Sequence, residues 1–214
     1  MNLPLTPEAA REAAGFVLDL PGADGVEVVL AASVIGMTRF ALSQIIQNTV
    51  KSEIRAYVRV AVGDRAAATS TNQLDREHME AAGHSALEAA QSSPPDDDFP
   101  GLPDPSAGKA EGVFRWDEQT STSSAAKRAE EVGLLLDVAG ADNVAGIYET
   151  STHAYSIISS SGIDCHDAFT RCVTTCLVDN GDATGWGEAS SHAAELVDVE
   201  EVARRAAHKA ETGR

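Results

Sequence analysis

Two histidines, His78 and His84, lie in the segment H-M-E-A-A-G-H and are the first residues that could do chemistry. Zinc sites of the H-E-x-x-H type place both histidines on one helix face, because a spacing of four residues turns the side chain by only about 40°. The spacing of six found here turns it by roughly 120°. We therefore interpret His78 and His84 as polar positions on an amphipathic helix.

A second group combines three cysteines with two histidines, which are the right ligand types for zinc: His153, Cys165, His166, Cys172 and Cys176. The run containing Cys172 and Cys176 is typical of a β-strand, in which they would lie about 13 Å apart on one face. Two sulfurs that each bind at about 2.3 Å cannot share one metal ion across that distance. We predict that Cys172 and Cys176 are small core residues facing a helix.

The sequence also gives little evidence for a catalytic nucleophile or a phosphate-binding loop. The S-S-S-G run at residues 159–162 lacks a G-x-S-x-G elbow before a helix, so it indicates a turn between strands. The segment G-D-A-T-G-W-G lacks the lysine of a phosphate loop and indicates a hairpin with Trp186 as a packing aromatic. The motifs therefore assign no catalytic, cofactor-binding or metal-binding residue in this chain.

Helix caps and alternating strands describe the first part of the chain. Thr6, followed by Pro7, predicts a helix that runs to about Leu20. Alternating patterns predict strands after residue 24, at 39–45 and at 55–62. Asp75 caps a second predicted helix over 76–91.

The second part repeats this order. A Ser/Thr cluster precedes a predicted helix over 125–138, strands follow at 154–159 and 171–178, and Asn180-Gly181 favours a hairpin. Asp198, with Glu201 three residues later, forms a capping box for the last helix.

A proline-rich stretch separates the two parts, since five of the eight prolines fall between Pro94 and Pro105. The predicted fold class is α+β: two similar helix–strands–helix units with mainly antiparallel sheets. The expected domains are residues 1–92 and 113–214, joined by a Pro/Asp-rich linker at 93–112.

Charge and composition narrow the possible partners. Asp and Glu outnumber Lys and Arg by 33 to 16, which gives a formal charge of −17 and disfavours binding to nucleic acid or anionic membranes. The longest apolar run, at 25–37, is interrupted by Glu27 and is shorter than the roughly 20 residues of a membrane helix. The N-terminus does not resemble a signal peptide, and three cysteines do not make a disulfide framework. We expect a cytoplasmic protein.

An ordered series of segments resembles the TldD/PmbA metallopeptidase family over nearly the whole of residues 8–210. A-D-G-V-E-V-V-L, R-F-A-L-S-Q-I-I-Q-N, R-A-Y-V-R-V-A-V-G-D-R, L-D-R-E and S-S-P-P-D-D-D-F-P-G-L-P resemble its N-terminal domain and the exit from it. V-A-G-I-Y-E-T-S, S-S-S-G-I, G-D-A-T-G-W-G-E-A-S-S and V-D-V-E-E-V-A-R-R-A resemble its central domain. One departure is Ser159, where the family usually has Asn.

The resemblance implies a cytoplasmic peptidase that cuts unstructured peptides and pairs as a homo- or heterodimer of TldD-like and PmbA-like subunits. In the TldD-like subunit it implies zinc on an H-E-x-x-x-H motif plus a later cysteine in a third, C-terminal domain. No position here matches that motif, so no cofactor is expected within this chain.

Two interpretations stay open. The chain is either the non-catalytic N-terminal and central part of a peptidase subunit, shaping the substrate chamber and dimer contacts, or a stand-alone peptide-binding or regulatory partner without peptidase activity. An open reading frame continuing downstream of Arg214 would favour the first.

Overall fold

Six β-strands and five α-helices make up the part of the chain that the computed structural model describes, residues 3–105 and 115–213. The helices are α1 (Pro7–Gly15), α2 (Arg76–Ser92), α3 (Glu118–Ser121), α4 (Ala125–Ala139) and α5 (Val199–Thr212). The strands are β1 (Gly25–Ala41), β2 (Gln44–Val62), β3 (Arg65–Thr71), β4 (Val144–Ser159), β5 (Asp164–Asp179) and β6 (Thr184–Ser191).

All six strands belong to one antiparallel sheet in the order β3-β2-β1-β4-β5-β6. The predicted α+β class and antiparallel pairing are therefore confirmed. The expectation of a separate sheet for each part is wrong, because β1 pairs with β4 from Glu27 opposite Ser159 to Phe40 opposite Gly146. The similarity of the two units and the boundaries 1–92, 93–112 and 113–214 stay predictions, and residues 106–112 of the linker lie outside the described residues.

Helix starts agree with the predicted caps. The side chain of Thr6 accepts a hydrogen bond from the Ala9 amide, Asp75 accepts from His78, and Asp198 accepts from Glu201. These bonds satisfy amide groups that have no partner within the helix.

The first helix is shorter than predicted and ends at Gly15 rather than near Leu20. After it the backbone makes i→i+3 hydrogen bonds, Val17 to Ala14 and Leu20 to Val17. This tighter turn places the side chains of Val17 and Leu20 in the core against α2.

The predicted strand at 39–45 is wrong, because it contains the β1–β2 hairpin turn. Leu42 and Ser43 both have positive φ, 51° and 55°, in a two-residue turn where Asn and Gly are the usual residues. The Ser43 hydroxyl donates to the Ala141 carbonyl and accepts from the Val144 amide. These bonds tie the turn to the start of β4 and help hold a conformation that the side chains disfavour.

The helices all pack on one face of the sheet. Alternate residues of β1, Val26, Val28 and Leu30, are buried under α1 and α2. Phe40 on the same face of β1 is buried with residues of α4 and α5 such as Val132 and Val202. Among the described residues no helix covers the opposite side of the sheet, which we call the open face.

Helix α5 approaches β6 so closely that a side chain at Gly185 is excluded. A Cβ atom at this position would overlap the carbonyl oxygen of Ala206 and the backbone nitrogen of Ala210. Ala206 and Ala210 are themselves buried, so this layer is built from very small residues.

We predict that Gly185→Ala destabilises the fold by about 1–3 kcal/mol, because α5 must move away from the sheet. Gly133→Ala is the matched control, since a Cβ at Gly133 in α4 meets nothing within 4 Å. That substitution should stabilise by about 0.5–1 kcal/mol through helix propensity. Urea unfolding of the two variants measures both changes, and equal effects would contradict the proposed packing.

Candidate functional site

The histidines of α2 occupy the positions predicted for them. His84 is exposed on the helix surface, and His78 is half-buried there. The His78 ring contacts the cap residue Asp75, with Nδ1 2.8 Å from Oδ1. Hydrogen bonds from His78 lower the pKa of the Asp75 carboxyl, so this histidine supports the helix cap.

Cys172 and Cys176 are fully buried among residues facing α4 and α5, which confirms the prediction that they are core residues. Burial raises the pKa of each thiol to about 11. Both therefore remain protonated at neutral pH and are poor metal ligands and nucleophiles.

The other members of the Cys/His group do not converge. Cys165 is exposed at the start of β5, whereas His166 Nδ1 lies 2.7 Å from the Ser156 hydroxyl on the helix side of the sheet. Across residues 3–105 and 115–213, no three His, Cys, Asp or Glu side chains are arranged to hold a metal ion. The described residues therefore do not fit the zinc that the family resemblance implies.

The serine run forms the predicted turn between β4 and β5, and its hydroxyls hold the surrounding chain. Ser159 accepts from the Ile163 amide, and Ser160 accepts from the Val26 amide. Ser161 donates to the carbonyl of Pro103. The Gly-rich segment likewise turns at 180–183 between β5 and β6, with Trp186 46% exposed on the open face.

A groove of about 590 Å³ crosses the open face where β3 ends. Its floor is formed by small residues of β1, Ala31 and Ser33, and its walls by residues of β2 and β4. These wall residues are polar or aromatic: Lys51, Glu53, Arg55, Tyr57, His153 and Tyr155. Sequence reasoning did not single out this groove.

The groove presents aromatic rings and cationic side chains to a ligand. Tyr57 and Tyr155 are each 44% exposed, and the His153 ring stacks on Phe169 with centroids 4.8 Å apart. Lys51 pairs with Glu53, but Arg55 makes no ion pair with any described residue. Burial, and secondarily the nearby Arg171, lowers the pKa of His153. The groove therefore offers a neutral ring, two phenols and a free guanidinium.

The second part of the chain matches a known protein-family model. Residues 121–214 match the model of the PmbA/TldA metallopeptidase central domain. Residues 121–214 are therefore similar to the PmbA/TldD central domain. No curated protein matches the chain by sequence.

Solved structures share the fold of nearly the whole chain. TldE from Thermococcus kodakarensis is 17% identical with a TM-score of 0.76, and 95% of this chain covers 46% of it. A proposed modulator of DNA gyrase from Bacteroides thetaiotaomicron is 17% identical with a TM-score of 0.80, and 95% of this chain covers 49% of it. A proposed modulator of DNA gyrase from Thermotoga maritima is 15% identical with a TM-score of 0.73, and 88% of this chain covers 44% of it.

The chain thus spans less than half the length of each of those structures. At these identities the likeness shows the fold alone. None of the helices in the described ranges is both long and apolar enough to cross a bilayer.

We predict that stability falls as pH drops below about 6.5, because burial lowers the pKa of both His153 and His166 from the usual 6.5. The unfolded chain then binds more protons than the folded chain, so stability is full above that pH and is lost as pH falls through the folded pKa values. His166→Asn should make this dependence shallower. Urea unfolding between about pH 7.5 and about pH 5.5 measures it. His84→Asn, at an exposed site, is the control, and an unchanged slope in His166→Asn would contradict the assignment.

Proposed function

We propose that this chain is the non-catalytic N-terminal and central part of a TldD/PmbA-type peptidase subunit, and that it shapes the chamber for unstructured peptides and the contacts with a second subunit. The observation that carries the proposal is the central-domain match at 121–214 on a sheet whose open face holds a groove. The described residues contain no group of three or more His, Cys, Asp or Glu side chains arranged to hold a metal ion, and we assign no step of peptide cleavage to them.

The groove suits an extended peptide. Its small floor residues, Ala31 and Ser33, allow close approach, and the phenol rings of Tyr57 and Tyr155 give apolar contact without demanding one sequence. On the outer side of β2, the register with β3 starts at Ala56. Among described residues the backbone of 44–55 therefore has a free edge, to which an extended chain can add as a strand.

The tip of the β1–β2 hairpin suits a protein partner. Its large apolar side chains are exposed, and we call them the hairpin patch: Leu42, Ile45, Ile46 and Val50. A cluster of exposed apolar residues at a free strand edge promotes aggregation of a monomer, and such clusters are typical of interaction sites. We place the contact with another TldD/PmbA-type subunit, in a homo- or heterodimer, at this patch.

We predict that Tyr155→Ala weakens binding of a fluorescein-labelled unstructured peptide roughly five- to tenfold, the usual loss for one aromatic contact. Trp186→Ala is the matched control, because Trp186 is 46% exposed on the same face but lies outside the groove. Fluorescence anisotropy measures both affinities. Equal losses in the two variants would remove the groove from the proposal.

We also predict that Ile46→Asp and Val50→Asp abolish co-purification with a full-length TldD/PmbA-type partner, since each places a carboxylate in an apolar interface. Both side chains are exposed, so the fold should survive, as circular dichroism would show. Leu196→Asp, at an exposed site outside the patch, should leave the complex intact. Complex formation by all three variants would move the interface elsewhere.

A further inference from the structure

One charged side chain is buried without a counter-charge. Arg128 in the first turns of α4 is only 2% exposed. Its guanidinium lies over Gly36 of β1, where an added Cβ would be 2.5 Å from Nη1. Gly36 is therefore the position that makes room for this cation.

The partners of this guanidinium are all neutral. Nη1 donates to the Ser123 carbonyl at 2.8 Å and Nη2 donates to Asn48 Oδ1 at 3.1 Å. Nε is buried and has no hydrogen-bond partner among the described residues, and no carboxylate of those residues pairs with Arg128. A buried ion without a counter-charge ordinarily costs several kcal/mol. Burial also lowers the pKa of Arg128.

A cavity of about 50 Å³ adjoins the guanidinium, enough room for one or two waters or one small anion. Besides the exposed Val50, the cavity is lined mainly by serine and threonine residues: Thr120, Ser121, Ser123, Thr150, Ser151 and Thr152. The hydroxyls of Thr150 and Thr152 make no hydrogen bond to another described residue, so they can donate to a guest. The cavity thus brings together a buried cation and two hydroxyl groups that are free to donate, and it lies next to Val50 of the hairpin patch.

We propose that Arg128, Thr150 and Thr152 form a binding site for one small monovalent anion, either a halide or a single carboxylate group. A guanidinium N–H of Nη1 or Nη2 that Ser123 and Asn48 leave unused, together with the two threonine hydroxyls, donates to it, as charge-assisted hydrogen bonds to an anion require. The cavity is too small for a nucleotide or a phosphorylated side chain. The inference does not depend on peptide binding in the groove, which lies on the opposite face of the sheet.

Thermal unfolding at constant ionic strength tests the site, with sodium isethionate, a bulky sulfonate that has no carboxylate group, replaced by sodium chloride or by sodium acetate. The wild-type Tm should rise with concentration and saturate, by roughly 3–5 °C at tenfold excess over Kd. Arg128→Gln should abolish the rise, and Thr150→Val should weaken apparent affinity several-fold while keeping the charge. A rise with acetate alone would assign the site to a protein or peptide carboxylate, and a rise with chloride to a free ion.

Crystals of the wild-type chain soaked in sodium bromide give a second readout if Arg128→Gln does not fold. Anomalous density beside the Arg128 guanidinium is the expected result. Water alone at that position, together with a Tm independent of both anions, would overturn the proposal. Leu196→Ala, at an exposed residue that does not line the cavity, is the control and should keep the wild-type response.

Discussion

The antiparallel pairing of β1 with β4 is the interaction on which the rest of the structure depends. It joins two three-stranded groups into one sheet over the stretch from Glu27 to Phe40. Because side chains alternate across a sheet, a slip of one residue in this pairing would turn the buried residues of one strand to the wrong face. It would also remove Gly36 from beneath Arg128. The register of this one pair therefore fixes which face receives the helices.

The helices' preference for one face explains why the other is available for binding. The helices form two pairs, α1 with α2 and α4 with α5, each over one apolar cluster, and both pairs lie on the same side of the sheet. The open face consequently keeps polar and aromatic residues at alternate positions, such as Arg55 and Tyr57. The length of β2 has a further effect on binding. This strand extends well beyond β3 and leaves part of its edge without a strand partner among the described residues.

Structural features that depend on neighbouring residues could be predicted from the sequence, whereas features that depend on contacts between distant residues could not. The caps Thr6, Asp75 and Asp198 act within three residues, so residue type alone was enough to locate them. The turn at Leu42 and Ser43 was missed because neither residue is a usual turn former, and its support comes from residues near 141–144. The groove was missed because it combines β2 with β4, which meet only through β1. A useful signal would have been the alternation of Arg55 and Tyr57 on a strand whose other face is apolar.

The helix side of the sheet is not one continuous apolar layer, and this has a physical cause. Two apolar clusters lie at its ends, and between them β4 presents the buried threonines Thr150 and Thr152. The two helix pairs cover these two clusters, and neither pair extends its apolar face across the seam between them. Hydroxyl groups can lie there because they tolerate both packing and hydrogen bonding, and a long arginine can reach in from α4. The seam between the two clusters thus accommodates Arg128, the one Lys, Arg, Asp or Glu side chain that is buried among the described residues, and it adjoins the hairpin at which we place the partner subunit.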